Sequence, residues 1–266
     1  MIGIFDSGLG GLTVVRAIMD RLPGYDIIYF GDTARTPYGS KSPETVTRYA
    51  RQNTDFLLNK GANIIVMACN TASSVATETI INSYDIPIFE VITPAVELSL
   101  KTSKKFHIGI IGTRATITSG IYEKKIKKTN PDAKVYSAAC PLLVPLVEEG
   151  WLKKPETRMI VKKYIHPLKV RQIDTLILGC THYPLLKNII QQKIGKKVNI
   201  IDSSITAAES VKDFIAKNPD IDKILDKKGE SRFFVSDITK QFEKTAKVIL
   251  NQKILLEHVS MSTTHR

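Results

Sequence analysis

The chain has 266 residues, 43% of them hydrophobic, and a formal net charge of +12. That length accommodates one large or two modest domains with real cores, and the composition excludes disordered and fibrous classes. No apolar run approaches the roughly 20 residues that span a bilayer. Met1 leads straight into Ile2-Gly3-Ile4-Phe5, which does not read as a secretory leader. Three cysteines are sparse and odd in number for a disulfide scaffold, so a cytoplasmic protein without membrane contact is expected.

Strand-like apolar runs alternate with amphipathic stretches, the pattern of an α/β fold with mainly parallel sheets. Residues 2–6 read as a first strand that turns through Gly8-Leu9-Gly10-Gly11 into a helix over 12–21. Residues 27–30 form a second strand, followed by the loop Gly31-Asp32-Thr33-Ala34-Arg35-Thr36-Pro37-Tyr38-Gly39. A helix over 43–60 is signalled by Ser42 as N-cap and Pro43 at its first position. A strand over 64–68, a helix from 72 and a strand over 86–91 complete a first cycle.

The pattern then begins again. Phe106-His107-Ile108-Gly109-Ile110-Ile111-Gly112-Thr113 resembles the opening strand, and Cys180 closes an apolar run as Cys69 does. Gly109 follows Gly3, and Cys180 follows Cys69, at nearly the same offset. Two pseudo-symmetric domains are therefore expected, each a mainly parallel sheet flanked by helices, with a site in the cleft between them. The first comprises 1–94 plus 207–266 and carries Cys69; the second comprises 95–206 and carries Cys180. The tail, with helical patterns at 207–217 and 240–251, is assigned to the first domain. Residues after 258 read as a polar, frayed end.

The basic excess lies in one place. Residues 95–206 hold 20 Lys and Arg against 8 Asp and Glu, whereas the flanks balance. These lysines follow helix spacing without interleaved aromatics, which points to a solvated face rather than to nucleic acid.

In open parallel sheets ligands gather at the carboxyl ends of the strands. Asp6, Ser7, Asp32, Cys69, Asn70, Thr113, Cys180, Thr181 and His182 all fall at such ends. Two thiols so placed, each followed by hydroxyl residues, point to two acid–base groups facing one substrate. A thiol acts as a base only as thiolate, so Asp6 and His182 are the nearby groups that would relay its proton. The Cys180-x-His182 spacing is not that of a zinc site, so no metal is expected. Asp6-Ser7-Gly8-Leu9-Gly10-Gly11 fits neither phosphate-loop pattern; its glycines let a strand turn into a helix whose N–H groups can receive a carboxylate. Cys140 has no comparable partners and reads as structural.

Taken together, these motifs resemble the glutamate racemases. The match runs through Gly3-Ile4-Phe5-Asp6-Ser7-Gly8, Pro37-Tyr38-Gly39, Ala68-Cys69-Asn70-Thr71, Gly112-Thr113 with Thr116, Pro141 to Glu149, and Gly179-Cys180-Thr181-His182-Tyr183-Pro184. The Thr-His pair after Cys180 resembles the glutamate enzymes rather than the aspartate ones. The resemblance implies a cofactor-independent isomerase that supplies D-glutamate for peptidoglycan, with glutamate as its partner and a homodimer as its assembly. It implies Cys69 and Cys180 as the two bases, Asp6 and His182 as their assistants, and Glu148 as a carboxylate tied to the histidine. It implies Asp6, Ser7, Tyr38, Gly39, Asn70, Thr71, Thr116, Thr181 and His182 as substrate positions. Some members carry an N-terminal extension linked to activation by a peptidoglycan precursor; here Met1 opens the first strand, and that mode is expected to be absent. The competing readings are a racemase of aspartate or a hydantoin, and a basic binding protein acting through 95–206.

Overall fold

A computed structural model describes residues 1–261, so the last five residues of the expected frayed end lie outside the described residues. Among the described residues ten strands form two sheets. They are β1 (Ile2–Asp6), β2 (Ile27–Gly31), β3 (Ile64–Met67), β4 (Ile88–Glu90), β5 (His107–Gly112), β6 (Lys134–Ala139), β7 (Thr175–Gly179), β8 (Asn199–Asp202), β9 (Ser231–Val235) and β10 (Leu256–His258). One sheet has the order β10-β9-β2-β1-β3-β4, the other β6-β5-β7-β8. Every pairing is parallel. The run β2-β1-β3-β4 thus has the same connectivity as β6-β5-β7-β8, and the expected two-fold repeat of an α/β unit is present in the topology.

Alternation along the strands explains the layering. Ile2, Ile4, Ile27, Tyr29, Ile64 and Val66 share one buried cluster, while Phe5, Ile28, Phe30, Ile65 and Met67 join another on the opposite face. Strands buried on both faces need continuous apolar runs, and these have them. The first cluster also contains Ile108, Ile110, Ile177 and Ile201 from the second sheet. It is bridged by Val96 of the helix Ile92–Thr102 and by Ala207, Ala208 and Val211 of the helix Ser203–Lys217. Each fully buried aliphatic side chain there contributes about 1.5–3 kcal/mol.

Several boundaries differ from expectation for identifiable reasons. β4 covers only Ile88–Glu90, because the Glu90 carboxylate turns back to accept the N–H groups of Ile92 and Thr93 and starts a helix. The helix after β3 begins at Asn70, two residues early, with Cys69 in the cap position. The helix expected from 207 begins at Ser203, capped by the Asp202 side chain on Ser204 N–H at 3.0 Å. The tail, read as helical, also supplies two strands: β9 pairs with β2, and β10 with β9. All strands of the six-stranded sheet lie within 1–94 or 207–261, and all strands of the four-stranded sheet lie within 95–206.

Candidate active site

The two repeats bring equivalent strand ends to one place. Cys69 follows β3 and Cys180 follows β7, which occupy matching positions beside β1 and β5. Both thiols line one small cavity together with Ser7, Tyr38, Gly39, Asn70 and Thr71 from one side and Thr113, Thr181 and His182 from the other. Pro37 and Val144 complete the wall. Both sulfur-bearing residues are buried, at 4% and 5% exposure.

Around Cys69 the environment disfavours charge. Burial, then the Asp6 carboxylate, push its thiol up to about 12, with a further push from Cys180; the Ala72 N–H and the Ser7 hydroxyl act the other way. The Ala72 N–H is free to donate because Cys69 caps a helix whose first N–H groups have no partner within it, whereas Ser7 reaches the sulfur from the segment after β1. Asp6 lies behind the cavity wall, fully buried. Its Oδ2 accepts the Gly8 N–H at 3.0 Å and its Oδ1 the Thr181 hydroxyl at 3.2 Å. Burial raises this carboxyl above its usual value, and the charge of His182 and the N–H groups of Gly8 and Gly11 offset that only in part.

Around Cys180 a cation is favoured instead. His182 Nδ1 lies 3.8 Å from the Cys180 sulfur, and Nε2 lies 3.2 Å from Glu148 Oε1. Burial works against the imidazolium, but the hydrogen bonds and charges of Cys180 and Glu148 outweigh it and lift the histidine to about 10. The imidazole is therefore protonated at neutral pH, flanked by a sulfur and a carboxylate. Glu148 does not reach the cavity; it lines an adjoining cleft with Gly8 and Thr36.

The loop after β2 is held from below. Asp32, fully buried, receives Arg35 Nε on both oxygens at 2.8 and 2.7 Å, Ser236 Oγ at 3.0 Å, and the Tyr38 hydroxyl. Asn53 Nδ2 donates to the same phenol oxygen at 3.0 Å. Burial and the Asp32 charge hold the Tyr38 phenol well above its ordinary pKa, so it is a neutral donor to that carboxylate. This bracing holds Tyr38 and Gly39 in the cavity wall. Gly39 has no room for a side chain, since a Cβ there would lie 2.6 Å from Thr113 Cβ.

Contact between the repeats is equally tight elsewhere. A Cβ on Gly10 would lie 2.3 Å from Thr181 Oγ1 and 2.5 Å from His182 Nδ1. The glycine run thus does more than turn the chain: it lets the backbone approach the second half. Thr13 Oγ1 stands 2.8 Å from the Gly10 carbonyl and 3.1 Å from that of Thr181. Thr71, Thr113 and Thr116 form a triangle of hydroxyls, with 2.9 Å between Thr71 and Thr113, 3.0 Å between Thr113 and Thr116, and 3.4 Å between Thr71 and Thr116. Thr116 sits behind the other two and does not line the cavity.

Thr113 lines the cavity although the sequence marks it only as a strand-end residue; its match to Ser7 in the repeat is the signal that identifies it. Pro37 and Val144 carry no chemical signal. Cys140 follows β6, on the other side of β5 from β7, so about two strand spacings of 4.8 Å separate it from Cys180, too far for a disulfide. Among the described residues, no three His, Cys, Asp or Glu side chains are grouped as metal ligands, and no helix is long and apolar enough to cross a membrane.

Matched parallel sheets with two strand-end thiols on one cavity define a racemase, an isomerase acting at a carbon centre. Residues 12–211 match the model of the Asp/Glu/hydantoin racemase family. A glutamate racemase of Persephonella marina is 49% identical over 261 residues, covering 98% of this chain and 97% of that one. The crystal structure of a glutamate racemase isoform from Bacillus anthracis superposes with a TM-score of 0.92 at 36% identity, covering 98% of this chain and 97% of the other. That of the Francisella tularensis glutamate racemase in complex with D-glutamate gives 0.90 at 39% identity, with 98% of both chains covered. The chain belongs to the Asp/Glu/hydantoin racemase family.

Proposed function

We propose that the protein is a glutamate racemase that interconverts L- and D-glutamate through two thiols, needs no added cofactor, and supplies D-glutamate for peptidoglycan. The observation that carries this reading is the presence of Cys69 and Cys180 on one buried cavity, reached from equivalent strands of two sheets. Similarity to glutamate racemases over 98% of the chain supports the choice of substrate.

The mechanism follows from the charges. In the D-to-L direction Cys69 withdraws the Cα proton while Cys180 protonates the opposite face; in the L-to-D direction the roles reverse. The buried Cys69 environment favours thiol over thiolate, and the Cys180 sulfur lies beside an imidazolium. Cys69 therefore rests as a thiol, the form that delivers a proton to Cα. A Cα–H beside a carboxylate is a very weak acid, so charge developing on that carboxylate has to meet fixed donors. Ser7, Asn70, Thr71 and Thr181 supply them with backbone N–H groups, and Tyr38 and Gly39 bound the remainder of the substrate. Thr116 acts through Thr71 and Thr113. Asp6 assists Cys69, while His182, held by Glu148, assists Cys180. Closure of 1–94 plus 207–266 onto 95–206, treated as two domains, excludes water. We further assign the enzyme to the cytoplasm as a homodimer, with the lysine-rich surface of 95–206 as a solvated face.

The test is to incubate the protein with L-glutamate, and separately with L-aspartate, in deuterium oxide without cofactor. Optical activity of the glutamate should vanish as deuterium enters Cα, while aspartate is unchanged. Exchange on aspartate alone, or on neither, would overturn the reading.

A further inference from the structure

We propose that Tyr122 and Ser203 are positioning residues that set the separation of the two thiols by clamping the side chain of Asn70, an inference that rests on the two-thiol reading above. Asn70 directly follows Cys69 and is 2% exposed. Its Oδ1 accepts the Tyr122 hydroxyl at 2.6 Å, and its Nδ2 donates to Ser203 Oγ at 3.3 Å. Ser203 Oγ in turn donates to the Leu178 carbonyl at 3.0 Å. Leu178 lies in β7, two residues before Cys180. Two buried hydrogen bonds therefore join the residue after one thiol to the strand that ends at the other, and a third ties the same residue to Tyr122.

The directions of these bonds are determined by proton count. The single Ser203 hydroxyl proton goes to the Leu178 carbonyl, which has none to give, so Ser203 Oγ is an acceptor toward Asn70. That fixes the amide orientation and leaves Oδ1 as the acceptor for Tyr122. The Tyr122 ring also packs close to Gly179: a Cβ on that glycine would lie 3.3 Å from Tyr122 Cε2. Neither Tyr122 nor Ser203 lines the cavity, so neither touches substrate.

The geometry makes the clamp consequential. The chain passes between the sheets after β4 and again after β8, and Ser203 opens the helix that begins the second passage. Side chains that cross from one half to the other must therefore set how far Cys69 stands from Cys180. Loosening Asn70 should change the span available to Cα, although neither substituted residue itself lines the cavity. Misplacement of about 1 Å can cost a proton-transfer step on the order of 100-fold.

The experiment measures Tyr122→Phe and Ser203→Ala beside the wild type, with L- and D-glutamate as starting materials. Each substitution removes one hydroxyl and keeps the packing of what remains. The wild type must first exchange Cα hydrogen on glutamate; failure there refutes the racemase reading itself. With an active wild type, each variant should lose kcat by about 10- to 100-fold in both directions while KM changes by less than about threefold. A loss residing wholly in KM, or a kcat within about twofold of wild type, would overturn the clamp. Should one variant fail to fold, the kcat of the other decides by the same criteria.

Discussion

The hydroxyl of Thr181 donates to the carboxylate of Asp6 at 3.2 Å, joining the residue after one thiol to the acid that lies behind the other. The Thr181 carbonyl faces Thr13 Oγ1 at 3.1 Å, so both ends of this residue are engaged by the opposite repeat. The strand ends that carry the two thiols are thus coupled through buried hydrogen bonds.

Loss of either sulfur should disable the enzyme. Cys69→Ser and Cys180→Ser are each expected to lower racemisation by at least about 100-fold, the low end of what a positioned acid or base contributes. Circular dichroism of the protein should be unchanged, since serine fits the same volume. Full activity in either variant would refute the assignment of two bases.

Asp6→Asn should separate stability from activity. The folded state raises the Asp6 carboxyl, so it favours the protonated form, and the ionised group costs stability at neutral pH. That cost disappears as pH falls through the raised value. The amide keeps an acceptor for Gly8 N–H and should melt higher at pH 7 than wild type, while turnover drops by about 100-fold. A lower melting temperature at pH 7 would contradict this.

Gly10→Ala should damage turnover more than folding. The added methyl would meet Thr181 Oγ1 and His182 Nδ1 at 2.3 and 2.5 Å, and both must move. Overpacking of this kind costs about 1–3 kcal/mol, and the displaced imidazole should reduce kcat by at least about tenfold. Thermal melting and initial-rate kinetics on one preparation would test both parts.

His182 gives a pH dependence of defined sign. Its pKa is about 10 in the fold against 6.5 ordinarily, so the native state holds the proton more tightly. The stability it contributes is complete below pH 6.5 and is lost as pH rises to about 10. Melting temperatures of wild type should fall relative to His182→Gln across that window. Parallel curves for the two proteins would refute the ion-pair account.

Those elements whose determinants are local were legible in the sequence. β1, β3 and β7 are continuous apolar runs, and Cys69, Cys180 and His182 fall at their ends. The Ser42 cap and Pro43 mark a helix start that the structure keeps, with Thr45 N–H on Ser42 Oγ at 3.3 Å. What was not legible depends on partners distant in sequence. β9 is a short strand held extended by the edge of β2, and β10 by the edge of β9 in turn. β4 is cut short by a side chain that bends back on its own backbone. The role of Gly10 depends on a neighbour more than 170 residues away, and that of Ser203 on Asn70 and Leu178.

The pairing of β9 with β2 has a consequence for synthesis. As the chain leaves the ribosome, the strands of the four-stranded sheet, which end at Asp202, emerge complete while the six-stranded sheet still lacks one flank. Until residues 231–235 appear, β2 presents an open row of backbone donors and acceptors, the kind of edge that invites pairing with another nascent chain. The later half of the molecule is thus ready to fold before the earlier one.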